Sequence, residues 1–229
     1  MANFLTRNFI SFLKKTYFLL LSALLLLPLY SCKKSVEYFS YISEQRNNIF
    51  LAQTDDFYLR VYSVIKETPY VADGIPMETS PRAEVTLIAP QGDETYHISF
   101  LVDGKSYGGE MSFDNVRAEY SFSCTLDLST HHAIDFQIQH GEESVTLTAR
   151  SVLEDDAIPP QEILKIVQRE NAELFESMTD KYGFSGEIYL RLLYEDAPYY
   201  YVGVIDRNCR ITAFLINGTS GKILAKREG

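Results

Sequence analysis

From residue 57 to residue 152 the chain alternates apolar and polar positions in short runs. Such a period of two sends successive side chains to opposite faces of a strand. Seven runs fit: 57–64, 83–89, 95–102, 105–113, 118–128, 133–139 and 144–152. Asp103-Gly104 between the third and fourth is a hairpin turn signal. Gly- and Pro-bearing turns at 90–93 and 140–143 separate others. Residues 33–54 show no sustained period and read as a tether, 32–54, leading into the fold.

Seven short strands with near-regular turns predict a β-sandwich of immunoglobulin-like architecture over residues 55–152. Val85, Leu87, Tyr96, Ile98, Phe100, Val102, Ile134, Phe136 and Ile138 supply its inward faces. The chain has no Trp, so the Cys–Trp–Cys framework of true immunoglobulin domains is absent. The expectation is one of architecture and not of family.

Residues 153–159 hold three acids and a proline and read as a linker. Pro160 is suited to open a helix. Apolar residues Ile163, Ile166, Val167, Leu174, Phe175 and Met178 then recur at helical spacing. Lys181 near the end and Gly183 beyond it suit the helix C-terminus. Strand patterns follow at 186–195, 199–206 and 210–217, then a Gly-bounded turn and a short run to 227. One helix on antiparallel strands is a small α+β layer pair. The whole fold is therefore expected to be mainly β, in two domains, 55–152 and 160–229.

In the second domain, alternation places Ile188, Leu190, Leu192, Tyr200, Val202 and Val204 against the helix. It assigns Tyr189, Leu193, Tyr199, Tyr201, Phe214 and Ile216 to the opposite face. An aromatic face of that size needs a cover. Two covers are open: the N-terminal sandwich stacking on it, or a protein or peptide partner held by Tyr189, Tyr199, Tyr201 and Phe214.

Residues 160–229, and above all the closing hairpin at 199–227, resemble a PepSY-like domain. Gly221, Lys222, Ile223 and Leu224 fit that family's final turn, and Asn217 stands where the family often carries Asp. The resemblance implies an extracytoplasmic bacterial domain without catalytic residues that binds or restrains other proteins, peptidases among them.

The N-terminus reads differently. Arg7, Lys14 and Lys15 precede an uncharged apolar run at 17–30, the layout of a secretory signal. The run is short for a membrane-spanning helix, which needs about 20 apolar residues. It closes on Leu29, Tyr30, Ser31 and Cys32, which resemble the lipobox of bacterial lipoproteins, with Tyr30 larger than the residue usual there. The resemblance implies cleavage after Ser31, removal of residues 1–31, and a lipid on Cys32. That places the protein on the extracytoplasmic face of a bacterial cell membrane, held through Cys32. An uncleaved signal anchor with an incidental cysteine is the alternative.

Charge narrows the partners. The segment before Cys32 carries +3, so the rest of the chain, whose total is −10, stands at −13. With no basic cluster, nucleic acid is excluded as a partner, since that binding is driven by phosphate neutralisation. Cys124, in an alternating run, points inward, while Cys209 sits in a turn; the two are not expected to pair.

No catalytic signature emerges. His131-His132 lie in a loop, and His97 and His140 elsewhere, without metal-ligand spacing. Ser220 lacks the nucleophile-elbow spacing, and the acids Glu154, Asp155 and Asp156 lack calcium-loop spacing. The expectation is a non-enzymatic, membrane-anchored binding module with no cofactor and no metal, its partner an envelope protein or peptide. The alternative is an extracytoplasmic hydrolase of unrecognised type.

Overall fold

The structure is a computed structural model and describes residues 36–91 and 95–229. The signal segment 1–31, Cys32 and part of the 90–93 turn lie outside the described residues. Among the described residues the chain is mainly β. The strands are β1 (Ile42–Gln53), β2 (Tyr58–Glu67), β3 (Thr79–Ile88), β4 (Tyr96–Val102), β5 (Lys105–Glu110), β6 (Ser112–Asp114), β7 (Glu119–Cys124), β8 (Ala133–His140) and β9 (Glu143–Ser151). Helices α1 (Pro160–Glu170) and α2 (Ala172–Ser177) follow, then the two-residue strands β10 (Thr179–Asp180) and β11 (Gly183–Phe184). The chain closes with β12 (Gly186–Tyr194), β13 (Pro198–Asp206), β14 (Ile211–Asn217) and β15 (Ile223–Glu228).

Thirteen of these strands form one sheet. Its spine runs β15-β14-β13-β12-β1-β2-β3-β7-β6, and a branch β9-β8-β4-β5 leaves from β1. All pairings are antiparallel except β1 with β12. β1 is the hub: its first half pairs β12, its far end pairs β9 through Phe50 and Leu51, and β2 lines its other edge. The branch encloses a core with the spine, joining Phe50, Leu59, Val61, Val85 and Leu87 to Ile98, Phe100, Phe136 and Leu147. Each such side chain contributes about 1.5–3 kcal/mol on burial.

Further along, the same inner face is covered by the helices. Ile163, Leu164 and Val167 of α1 and Phe175 of α2 are buried, as are Ile188, Leu190, Leu192, Tyr200, Val202 and Val204 of the sheet. Tyr38, in a short 3-10 turn at Tyr38–Tyr41, meets Phe175 edge-on at 4.9 Å and Phe184 at 5.3 Å. Glu37–Gly229 is one compact unit.

Three expectations change. Residues 42–53 are not tether but the central strand. Their pattern was hidden because Ser43, Glu44, Gln45 and Asn48 are polar yet buried. Buried polar groups need partners, and Ser43 Oγ donates to the Ile188 carbonyl while Glu44 pairs with Arg191. The single expected helix is broken at Asn171 (φ −133°, ψ 42°), whose side chain donates to the Val167 carbonyl. Gly183 does not cap that helix; it belongs to the β10–β11 hairpin, where its Cα faces the Tyr41 hydroxyl.

Phe214 changes as well. Val202 pairs with Phe214 and Tyr200 with Ile216, and directly opposed residues share a face. Phe214 and Ile216 therefore lie on the helix-covered side, at 1% and 0% exposure. Phe214 leaves the set of candidate contact residues. The strands of residues 55–152 join the C-terminal strands edge to edge, through β1 and β12, and the segment 68–78 reaches over the Tyr189 end of the aromatic face.

Candidate functional site

The face opposite the helices is crossed, at its Glu187–Tyr189 end, by the segment 68–78. Register builds it one row at a time. Tyr201 of β13 opposes Arg191 of β12, Arg191 opposes Arg46 of β1, Arg46 opposes Val64 of β2, and Val64 opposes Arg82 of β3. One cross-strand row thus carries three arginines. Neighbouring strands lie about 4.8 Å apart, and like charges directly opposite each other destabilise a sheet. Arg191 and Arg46 form such a pair.

The flanking rows relieve part of that repulsion. Glu44 forms a short ion pair with Arg191, and Lys66 forms one with Glu84. Arg60 stands 3.7 Å from Glu119. Among the described residues Arg46 forms no ion pair; it donates to the Leu192 carbonyl at 3.2 Å and lies 3.9 Å over the Tyr62 ring. Arg60 sits 5.3 Å from the same ring, so two guanidinium groups share Tyr62. Arg82 donates to the neutral Ser123 hydroxyl at 3.0 Å. The Nε atoms of Arg46, Arg60, Arg82 and Arg191 are buried without hydrogen-bond partners.

These surroundings tune the charges. Burial, chiefly, pulls the Arg46 pKa below its ordinary value, and the Arg191 charge adds to this. Arg191 moves up: burial, the largest single influence, pulls it down, but the bond to Glu44 and the Glu44 charge together outweigh it. The charges of Glu44 and Glu84 oppose that fall in Arg46 from neighbouring rows.

The aromatic part of the site centres on Tyr189 and Tyr201, stacked at 5.6 Å. Tyr189 is 5% exposed, whereas Tyr201 and Tyr199 are half-buried. The Tyr189 ring lies over Gly203, where any Cβ would strike it. Arg191 stands 4.5 Å over Tyr189 and 5.9 Å from Tyr70. Burial first, then the bond to Tyr201, raises the Tyr189 phenol above its ordinary value, and burial lifts Tyr70 to about 12. Both phenols are neutral hydrogen-bonding groups near neutral pH.

Of the residues singled out from sequence, Tyr189, Tyr199 and Tyr201 come together here and Phe214 does not. The arginine row was missed. Part of its signal was present in the alternation that puts Arg191 on one face with Tyr189, but Arg46 stood in a segment read as tether. No parity argument joins strands whose register is unknown.

Elsewhere the chemistry is structural. Ser220 Oγ donates to Asn217 Oδ1 at 2.8 Å, and the same oxygen accepts the Ser220 and Thr219 amides, which closes the turn. His131 lies 3.6 Å from Asp103 and His140 stacks on Tyr96 at 4.3 Å, at opposite ends of β8. Among the described residues no group of three or more His, Cys, Asp or Glu side chains is placed to hold a metal ion. Cys124 and Cys209 are free thiols; Cys124 is half-buried, and burial raises its pKa.

A groove of about 1220 Å³ runs between the helices and the ends of β13, β14 and β15. Two of its acids pair with basic neighbours, Asp206 with Arg210 at 2.8 Å and Glu228 with Lys226 at 2.7 Å. The Arg210 amide, first of several donors, holds Asp206 below the usual carboxylate range. An ionised, hydrogen-bonded carboxylate is a weak base. No helix among the described residues is long and apolar enough to cross a membrane. No protein-family model, curated protein or solved structure matches the chain.

Proposed function

We propose that this chain is a lipid-anchored, extracytoplasmic binding module of a bacterial cell membrane, without catalytic chemistry of its own. Residues 1–31 act as a lipoprotein signal, and Cys32 carries the lipid. Residues 55–152 act as an immunoglobulin-like sandwich and residues 160–229 as a PepSY-like half. The observation that carries the binding reading is the sheet face opposite the helices with its cross-strand row of Tyr201, Arg191, Arg46 and Arg82. Repelling arginines held in one row are costly to the fold. An anionic partner offsets that cost on binding, and the partner such a face fits is an envelope protein or peptide rich in carboxylates, with Tyr201 as an aromatic contact.

The full chain in detergent, presented to a random-peptide display library, tests the reading. Sequences enriched on the wild type are expected to carry several Asp or Glu residues and to be lost on the double variant Arg46→Ala/Arg82→Ala. Enrichment that ignores the arginines, or no enrichment at all, overturns it. The anchor is tested separately: Cys32→Ala should abolish uptake of a fatty-acid label, and uptake unchanged in that variant removes the lipoprotein reading.

A further inference from the structure

At the end of the face next to Tyr189 lies a carboxylate sealed from solvent. Glu187 of β12 is 0% exposed; the Ser43 hydroxyl and the Gly74 amide approach its carboxyl, but neither oxygen completes a hydrogen bond of full geometry. A buried, unpaired carboxylate is costly when ionised, and far less so when protonated. Glu67, at the end of β2, is 2% exposed, and its charge also acts on Glu187.

What closes over Glu187 is the segment 68–78 between β2 and β3. Its Asp73 and the Gly74 amide both act on the Glu187 carboxyl. Gly74 packs so tightly on the Asp206 carbonyl, at φ 79°, that any Cβ there would collide with it. The Met77 amide donates to Glu67 in a short bond. Yet the segment buries little of its own apolar surface: Val71, Ile75 and Met77 are 51%, 53% and 69% exposed. A loop held by few buried contacts opens at low cost.

We propose that residues 68–78 form a proton-dependent latch on the outer sheet face, closed while Glu187 is neutral and released when it ionises, uncovering Tyr189 and Arg191. The consequence for binding rests on the reading of that face as a contact surface. The charged and titratable groups around Glu187 are Glu67 of β2, Tyr70 and Asp73 of the segment, Glu44 of β1, Tyr189 and Arg191 of β12, and Asp206 of β13. Arg191 is the one cation among these, and Glu44 already engages it. Ionisation of Glu187 therefore places a charge in a buried site whose nearest acids repel it.

The sign follows. Burial first, then the Glu67 charge, raises the Glu187 pKa when the latch is closed. With the segment open and the carboxyl hydrated, that pKa returns toward the ordinary value of about 4.3. Below that value both states are protonated and the latch is fully closed. Its stability is lost as pH rises through the ordinary value toward the raised one, tenfold for each pH unit between them.

Amide hydrogen exchange of the full chain in detergent, corrected for the intrinsic pH dependence of exchange, tests the latch without any partner. Failure of the partner reading and failure of the latch are thereby distinguishable. Protection of residues 70–77 is expected to fall at least tenfold from acidic to neutral pH in the wild type, with β4 and β8 unchanged. In Glu187→Gln, which cannot ionise, protection should stay high across the range. Glu67→Gln should lessen the fall without removing it. If Glu187→Gln does not fold, the carbon-13 shift of the wild-type Glu187 carboxyl takes its place and must titrate with the same midpoint as the loss of protection. Protection that is flat with pH in the wild type, a fall that persists in Glu187→Gln, or a carboxyl midpoint apart from the opening midpoint overturns the proposal.

Discussion

Gly203 shows how one residue sets the aromatic contact. A Cβ at this position would enter the Tyr189 ring, so the ring lies flat on the sheet only because position 203 has no side chain. From that seat Tyr189 stacks on Tyr201 and receives Arg191. Gly203→Ala is expected to lower stability by about 1–3 kcal/mol, the usual cost of overpacking a tight site. Urea unfolding of the full chain measures it. A double-mutant cycle with Tyr189→Ala should recover most of the loss, because removing the ring removes the clash. Additive losses would mean that the strain at Gly203 lies elsewhere.

Asn48 makes a comparable contribution at the scale of an element. It stands just past an irregularity in β1, where register shifts between Arg46 and Asn48 and the strand turns from β12 toward β9. Its Oδ1 accepts from the Ile49 amide and the Ser151 hydroxyl, both at 2.8 Å, and its Nδ2 donates to the His131 carbonyl at 3.3 Å. One side chain thus ties β1 to β9 and to the turn before β8. Asn48→Ala leaves the Ile49 amide and the Ser151 hydroxyl without this partner in a 2%-exposed site. A loss of about 1–3 kcal/mol is expected, with faster amide exchange at Phe50 and Leu51 than at Leu190. Exchange that quickens evenly over all strands would show Asn48 to be an ordinary core contact and not a junction.

The same strand marks the limit of what the sequence discloses about elements. β2, β3, β4, β8, β9, β12, β13 and β14 were legible within a few residues, because each buries alternate apolar side chains on one face. β1 was not, because it buries the polar side chains Ser43, Gln45 and Asn48, of which Ser43 and Asn48 bond to neighbouring strands. The break between α1 and α2 was equally hidden, since Asn171 interrupts a helical stripe whose apolar spacing continues to Phe175. Of the site, Tyr189, Tyr199 and Tyr201 could be read from alternation within single strands. The side on which Phe214 lies, and the union of Arg191, Arg46 and Arg82, depend on register between strands distant in sequence, which periodicity does not encode.

For the whole molecule, the decisive fact is that β12 finds its second edge on β1. Residues 160–229 contain two helices and six strands, but their sheet ends at β12 unless residues 42–46 supply the next strand. An isolated piece would expose the edge of a strand in which Ile188, Leu190 and Leu192 are fully buried. Open edges flanked by apolar side chains pair with whatever strand they meet. A fragment of residues 153–229 is therefore expected to aggregate or remain partly unfolded, and to become soluble when residues 36–54 are fused to it. In the full chain the shared strand couples the two halves. Leu190→Ala, a cavity in the helix-covered half, should cost about 2–5 kcal/mol. Because β1 belongs to both cores, the urea midpoint should fall together at a probe on β13 and at a probe on β8. A shift confined to β13, with β8 unfolding at its wild-type midpoint, would show that the junction at β1 transmits no stability and that the halves fold as separate domains.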